Sequence, residues 1–316
     1  GQVILTPAAQ KRPFDAQPSG LKLQPEGPQV RTMTFVCDVF HPYEAQIDLE
    51  ILSEKVEIIE SGNGIVGLSC QLPTGSGSRV VRRGQVKDAR RHFAHQAQLR
   101  LCLSSSPNIS LKVFSTGRLQ IAGCRDEKSC IQAVNEVVKA LNKIQKKYPN
   151  IMKIQPKMGP LKESKPLEQP IDATKLPPPQ IVMINCSFDS GMAAVGYALD
   201  PHRLTEMLRQ MQRSQDSIED VQYNPEQRYT GVKVKFKPRE CGANKGDPPG
   251  EVGDREVFIG MFPSGKAVIT GAVKWDEVNQ SYEFARSVLC DNFDYLKVPI
   301  VETGRASRKK PRREGM

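Results

Sequence analysis

An α+β fold built from one module used twice is what this sequence predicts, on three observations. Phe114, Gly117, Arg118, Ile121 and Gly123 are answered 148 positions later by Phe262, Gly265, Lys266, Ile269 and Gly271. Each set reads as a strand, a tight turn at Ser-Thr-Gly or Pro-Ser-Gly, and a second strand. Each is followed by a long stretch of helical periodicity, at 126–146 and 276–293. A module ordered strand, helix, several antiparallel strands, helix lays both helices on one face of its sheet and leaves the other face open.

Residues 1–29 are rich in Pro, Gln and Gly without apolar periodicity and are expected to form a disordered arm. In the first copy, 30–147, the β-branched and aromatic run 32–40 reads as a strand and 41–55 as a helix. Strand character returns at 56–59. Residues 61–91 hold Gly and Ser clusters and then Arg79, Arg82, Arg83, Lys87, Arg90 and Arg91. Most of that stretch reads as an insertion, although 65–72 has strand character of its own. Strands are expected over 93–103, 109–114 and 118–122, then a helix over 126–146 with Ile131, Val134, Val138, Leu141 and Ile144 inward.

Eight prolines between Tyr148 and Pro179 argue against continuous regular structure and mark 148–178 as a linker. The second copy, 179–297, repeats the pattern: a strand at 180–188, a helix at 201–212 behind Asp200 as N-cap, and strands at 221–224 and 229–237. The hairpin 257–262 and 266–270 follows, then a helix with Val278, Tyr282, Ala285, Val288 and Leu289 inward. The remainder, 298–316, is a basic tail.

With 38% apolar residues the chain can bury a core, and no run of about 18 apolar residues suggests a membrane span. The formal charge is +10, of which residues 302–316 supply +4, so the rest is still basic and favours a polyanionic partner. Eight scattered cysteines form no Cys-x-x-Cys pair, and neither a zinc ribbon nor a disulfide framework is expected. No nucleophile elbow, phosphate-binding loop or His-Glu-x-x-His motif is present, and no cofactor is expected. Nothing in the chain argues for an enzyme.

On the hairpin strands, alternation puts Leu119 and Ile121, or Ala267 and Ile269, under the helix. Arg118, Gln120 and Ala122, or Lys266, Val268 and Thr270, take the open face. Small residues inside a basic rim suit close approach to a shallow anionic surface, above all a DNA minor groove.

These residues resemble the TATA-box-binding protein family. Phe262-Pro-Ser-Gly-Lys-Ala-Val-Ile-Thr-Gly271 looks like the family's Phe-x-Ser-Gly-Lys-x-x-x-Thr-Gly hairpin, and Phe114-Ser-Thr-Gly-Arg118 is its counterpart in the first copy. Tyr223-Asn-Pro-Glu-Gln-Arg-Tyr229 is similar to the family's stirrup. The resemblance covers about 30–147 and 179–296, and implies a pseudo-twofold saddle: a ten-stranded antiparallel sheet with helices on the convex face.

By the same resemblance Phe114, Phe262, Tyr229 and Phe93 are the aromatic wedges that pry open base steps, with Ile65 the substitute for Phe93. Arg100, Arg118, Lys235 and Lys266 stand where the family neutralises phosphates. The groove-facing set is Thr32, Thr34, Gln120, Ala122, Gln180, Val182, Val268 and Thr270, and Thr32 and Gln180 stand where the family carries two asparagines. A relaxed A·T-rich preference is expected. The stirrup residues Pro225 and Glu226, with the convex helices, imply transcription factor IIB-like and IIA-like partners and the RNA polymerase machinery.

The tail at 308–313 reads as a nuclear import signal, or equally as a DNA-binding arm. The two insertions suggest a divergent lineage, viral or protist. The implied role is a promoter-binding initiation factor without catalytic activity, located in the nucleus or a viral transcription compartment. The alternative is a regulatory or protein-interaction module of the same fold that does not bend DNA.

Overall fold

A computed structural model describes residues 20–41, 44–86, 95–154, 164–239 and 255–300. The chain divides into two compact units, one of Pro28–Ser187 with Ile269–Asn279, the other of Phe188–Val268 with Gly1–Gly27 and Gln280–Met316. The basic tail beyond 300 lies outside the described residues, as does most of the N-terminal arm.

The first unit opens on β1 (Gln29–Asp38). A short strand β2 (Ala45–Ile47) and a seven-residue helix α1 (Leu49–Lys55) stand where one helix over 41–55 was expected. Asp48 explains the late start, because its carboxylate accepts the backbone N–H groups of Glu50 and Ile51, both at 3.1 Å. Residues 56–59 are not a strand; Val56 caps α1, its N–H on the Leu52 carbonyl at 3.0 Å.

The stretch expected to be mostly an insertion instead folds as β3 (Gly64–Thr74) and β4 (Gly77–Gly84). Its Gly and Ser cluster is the turn of a hairpin, paired without a slip from Gly67↔Gly84 to Thr74↔Gly77. Then come β5 (Gln96–Cys102), β6 (Ile109–Phe114), β7 (Arg118–Cys124) and α2 (Glu127–Gln145), the helix beginning behind Asp126, whose carboxylate accepts the Ser129 N–H at 2.7 Å.

Helix α2 packs on β7 with Cys130, Ala133, Val134, Val137, Val138, Leu141 and Ile144 buried. Ile131, expected inward, is 48% exposed because it lies at the edge of that stripe, about 100° around the helix from Cys130.

The described parts of the Pro-rich linker are more ordered than their composition suggests. Strands β8 (Met152–Ile154) and β9 (Lys165–Pro166) join β2 in a small antiparallel sheet, their length held to three and two residues. Asn142 of α2 clasps Ile171 twice, donating to its carbonyl at 2.8 Å and accepting its N–H at 2.9 Å. Strand β10 (Gln180–Asp189) then pairs antiparallel with β1.

The second unit adds β11 (Tyr197–Leu199), α3 (Pro201–Gln212) behind the Asp200 cap, β12 (Ile218–Gln222), β13 (Val232–Phe236), β14 (Val257–Met261) and β15 (Lys266–Ala272). It closes with α4 (Trp275–Asp291), α5 (Phe293–Leu296) and β16 (Lys297–Pro299), which pairs with β11. Of the expected inward residues of α4, Val278, Ala285, Val288 and Leu289 are buried. Tyr282 is only partly so, its ring edge-on to Phe188 at 5.0 Å.

Among the described residues the large sheet has eleven strands rather than the expected ten. In the first unit the order is β10-β1-β7-β6-β5-β3-β4, and in the second β12-β13-β14, with Lys266–Val268 of β15 in the second unit and Ile269–Ala272 in the first. The free thiols of Cys37, Cys70, Cys124 and Cys186 are buried in the sheet's strands and that of Cys130 in α2, and burial pushes those of Cys37, Cys70 and Cys186 up to about 11.

The two hairpins match in detail. β7 and β15 share one burial pattern along their seven residues, and the paired glycines share left-handed backbone: φ is 84° at Gly117 and 80° at Gly265, 97° at Gly123 and 95° at Gly271. Each first glycine donates to the ring residue three positions before it, Phe114 or Phe262, at 2.9 Å. Their surroundings differ. A Cβ on Gly117 would stand 2.2 Å from the buried Phe40 ring, whereas one on Gly265 would meet the movable Ser190 hydroxyl at 2.8 Å. Gly117→Ala is expected to cost about 3 kcal/mol and Gly265→Ala about 1–2 kcal/mol, measured as the loss in urea unfolding free energy.

Candidate nucleic-acid interface

Strand alternation builds the interface. On β7, Leu119 and Ile121 are fully buried, while Gln120 and Ala122 are half-buried and Arg118 exposed. On β15, Ala267 and Ile269 are fully buried, with Val268 and Thr270 half-buried and Lys266 exposed. Apolar side chains on one side of a pleated strand leave the other side to whatever approaches from solvent.

In the first unit this open face carries Gln98 and Arg100 on β5 and Ser110, Lys112 and Phe114 on β6. All are partly exposed and alternate with buried Leu99, Leu111 and Val113. Phe114 therefore stands on the open face at the hairpin tip, opposite Gln96. Arg100 donates to the Asn108 side chain at 2.7 Å, which fixes the guanidinium at a strand end.

Thr32 faces Asn185 across the β1–β10 pair. The Asn185 amide donates to the Thr32 hydroxyl at 2.9 Å, and the Thr270 hydroxyl donates to the Asn185 carbonyl oxygen. An asparagine thus stands on this face beside Thr32, one of the two residues expected where the resembled family carries asparagines. Gln180 is exposed opposite Val36, and Val182, 37% exposed, is the extra residue of a bulge between the Thr34–Met183 and Phe35–Ile181 pairs. Thr34, expected to be open to a ligand, is only 4% exposed. It lies between Ala122 and Met183 on the two flanking strands.

The outer end of this face is partly covered. After β4 the chain turns through left-handed Gly84, and the Gln85 N–H bonds the Val66 carbonyl at 2.8 Å. Gln85 then packs on Gly67, where a Cβ would stand 2.3 Å from the Gln85 carbonyl oxygen. Beneath it lies a cavity of about 140 Å³ lined by Gln98, Arg100, Asn108 and Ser110. Phe93 lies outside the described residues, and Ile65 does not replace it, being 5% exposed and paired with buried Leu101. On β4, Arg79 pairs with Glu50 at 2.7 Å, and Arg83 donates to the Ser53 and Glu54 carbonyls at 3.0 Å, so both are tied to α1.

In the second unit the open face is aromatic. Tyr229 and Phe262 stand 5.2 Å apart between ring centroids, with Phe258 at 6.5 Å from Tyr229 and the Lys233 ammonium 4.7 Å from the Tyr229 ring. Gly260 makes room for this arrangement, since a Cβ there would stand 2.1 Å from the tyrosine oxygen. The Tyr229 hydroxyl is buried without a hydrogen-bond partner among the described residues, and burial raises its ionisation above the ordinary tyrosine range. Exposed Lys235 forms an ion pair with Glu256 at 3.0 Å, which an incoming phosphate would have to displace. Pro225 and Glu226 are exposed in the β12–β13 connection, on a turn in which Asn224 accepts the Glu226 N–H at 2.9 Å.

Sequence reasoning passed over Asn185, Phe258 and the Gln85 crossing. The first two were within reach: alternation against Ile184 and Cys186, and against Val257 and Ile259, places them on the open face. Nothing local in the sequence signals the crossing.

No family model matches the chain. It is 23% identical over 234 residues to a protein of Acanthamoeba polyphaga mimivirus named TATA-box-binding protein-like, a match covering 72% of this chain. The chain spans 56% of the length of that mimivirus relative. Among solved structures it is similar to the TATA-box-binding protein of Methanococcus jannaschii, at a TM-score of 0.45 and 13% identity, covering 84% of this chain and 99% of that one.

In this chain the unpaired Tyr229 hydroxyl is a destabilising feature. Tyr229→Phe is expected to raise unfolding free energy by about 1 kcal/mol at neutral pH. The folded-state ionisation lies above the unfolded value near 10, so the stability tied to the neutral phenol is present below pH 10 and lost as pH rises through the raised value. Denaturation above pH 10 should therefore be shallower in the variant.

Proposed function

We propose that this chain is a promoter-binding general transcription factor that grips A·T-rich duplex DNA through the minor groove and bends it. The observation that carries this reading is the matched pair of hairpins. Each presents a phenylalanine, Phe114 or Phe262, on the helix-free face beside an exposed cation, Arg118 or Lys266, on the same left-handed turn. Inserting apolar wedges at two base steps unstacks them, and the resulting bend brings more groove against the sheet. Gln120, Ala122, Val268 and Thr270 are small or flat enough to sit close to the groove floor. Thr32, Gln180 and Asn185 supply its polar contacts.

In this reading 30–147 and 179–297 are two repeats of a saddle joined by the 148–178 linker. Phe93 and Tyr229 serve as second wedges, Arg100 and Lys235 as further phosphate contacts, and the basic tail as a nuclear import signal. The partners are initiation factors of the IIB and IIA type, met by the convex helices and by Pro225 and Glu226, and chemistry is left to the polymerase. A non-bending regulatory module is the second reading, favoured by Tyr229 lying over Gly260 and by Gln85 covering the end of the first unit's face.

Energy transfer across an end-labelled A·T-rich duplex decides between them. The first reading expects a shortened end-to-end distance on binding and its loss in the Phe114→Ala, Phe262→Ala double variant, with affinity down at least tenfold and unfolding still cooperative. Binding without shortening selects the second. Replacing Arg118 and Lys266 by Gln should flatten the log-log salt dependence of affinity by about two units, roughly one per phosphate.

A further inference from the structure

The second unit's open face holds more aromatic surface than two hairpin wedges need. Phe258 belongs to neither proposed pair. It stands opposite Lys235 in the β13–β14 register, partly exposed, between buried Val257 and Ile259. With Tyr229 at 6.5 Å and Phe262 a further 5.2 Å on, it makes a run of three rings, none fully buried, over a floor where Gly260 and Gly231 leave no space for a Cβ. Lys233, its ammonium 4.7 Å from the Tyr229 ring, and exposed Lys235 supply positive charge among them. In the first unit, 148 positions earlier than Phe258, stands Ser110.

We propose that this patch is a stacking surface for the unpaired bases of single-stranded DNA. Bases of any identity present a π-face, and aromatic side chains interleaved with lysines on a sheet face bind them with little sequence preference. Phosphates between successive bases fall to Lys233 and Lys235, the latter exchanging Glu256 for the incoming anion. Such a surface would hold one strand of a locally opened duplex. The inference rests on reading this face as a nucleic-acid interface, but requires neither groove insertion nor bending.

Fluorescence anisotropy of the full chain tests it, with labelled oligo-dT of about ten nucleotides and an A·T-rich duplex measured at the same low salt. Phe258→Ala and Phe258→Leu should each weaken oligo-dT binding about tenfold, the scale of one lost base stack, and change duplex affinity by less than twofold. The leucine variant keeps apolar volume in place, so its loss reports the ring and not the fold. Wild-type chain that binds duplex but not oligo-dT overturns the proposal, as does Phe258→Leu binding oligo-dT normally or weakening both ligands equally. Binding to oligo-dT without binding to duplex would leave it standing and remove the promoter reading.

Discussion

Helix cover on one side of the strands is the constraint on which the rest of this structure depends. Helix α2 lies on β7, and α3 lies on β12 and β13, so β7 and β13 must divide their side chains between an apolar face and one facing solvent. Leu119 and Ile121, or Ala267 and Ile269, cannot move to the other face without a one-residue slip that would also expose their neighbours. The polar residues between them are therefore held at fixed spacing on the face opposite those helices. In the first unit that face holds Phe114, Thr32 and Asn185, and in the second Phe258 and Phe262.

Much of this was legible in the sequence because the signals were local and doubled. The 148-residue offset aligned glycines whose left-handed backbone is needed in both hairpins, and alternation then assigned faces without further information. Helix α2 announced itself through its apolar periodicity and α3 through Asp200, a cap whose carboxylate satisfies first-turn N–H groups. What escaped was set by pairing between distant segments. A hairpin rich in Gly, Ser and Arg resembles an insertion until β3 is seen to bury apolar residues on both its faces. The short strands β8 and β9 exist only because β2 and the Asn142 clasp receive them.

At the site, residue type was easier to read than availability. Arg100 and Lys235 lie on the open side as expected, but each already has a partner, Asn108 or Glu256. Thr34 has the right parity and is closed over by its neighbours. The expected substitution on the open face was only half the picture, since register brings Asn185 against Thr32 from the partner strand. Such facts depend on bulges, at Val182 for instance, that shift pairing by one residue and leave no mark in composition.

The buried cysteines carry a consequence of their own. Thiols held protonated inside a sheet are poor nucleophiles, and at neutral pH Cys37, Cys70 and Cys186 have almost no thiolate to offer an alkylating reagent or a peroxide. Their modification must wait for the strands to part. The rate at which these sulfurs are captured thus becomes a clock for opening of the sheet, built into the chain without any added probe.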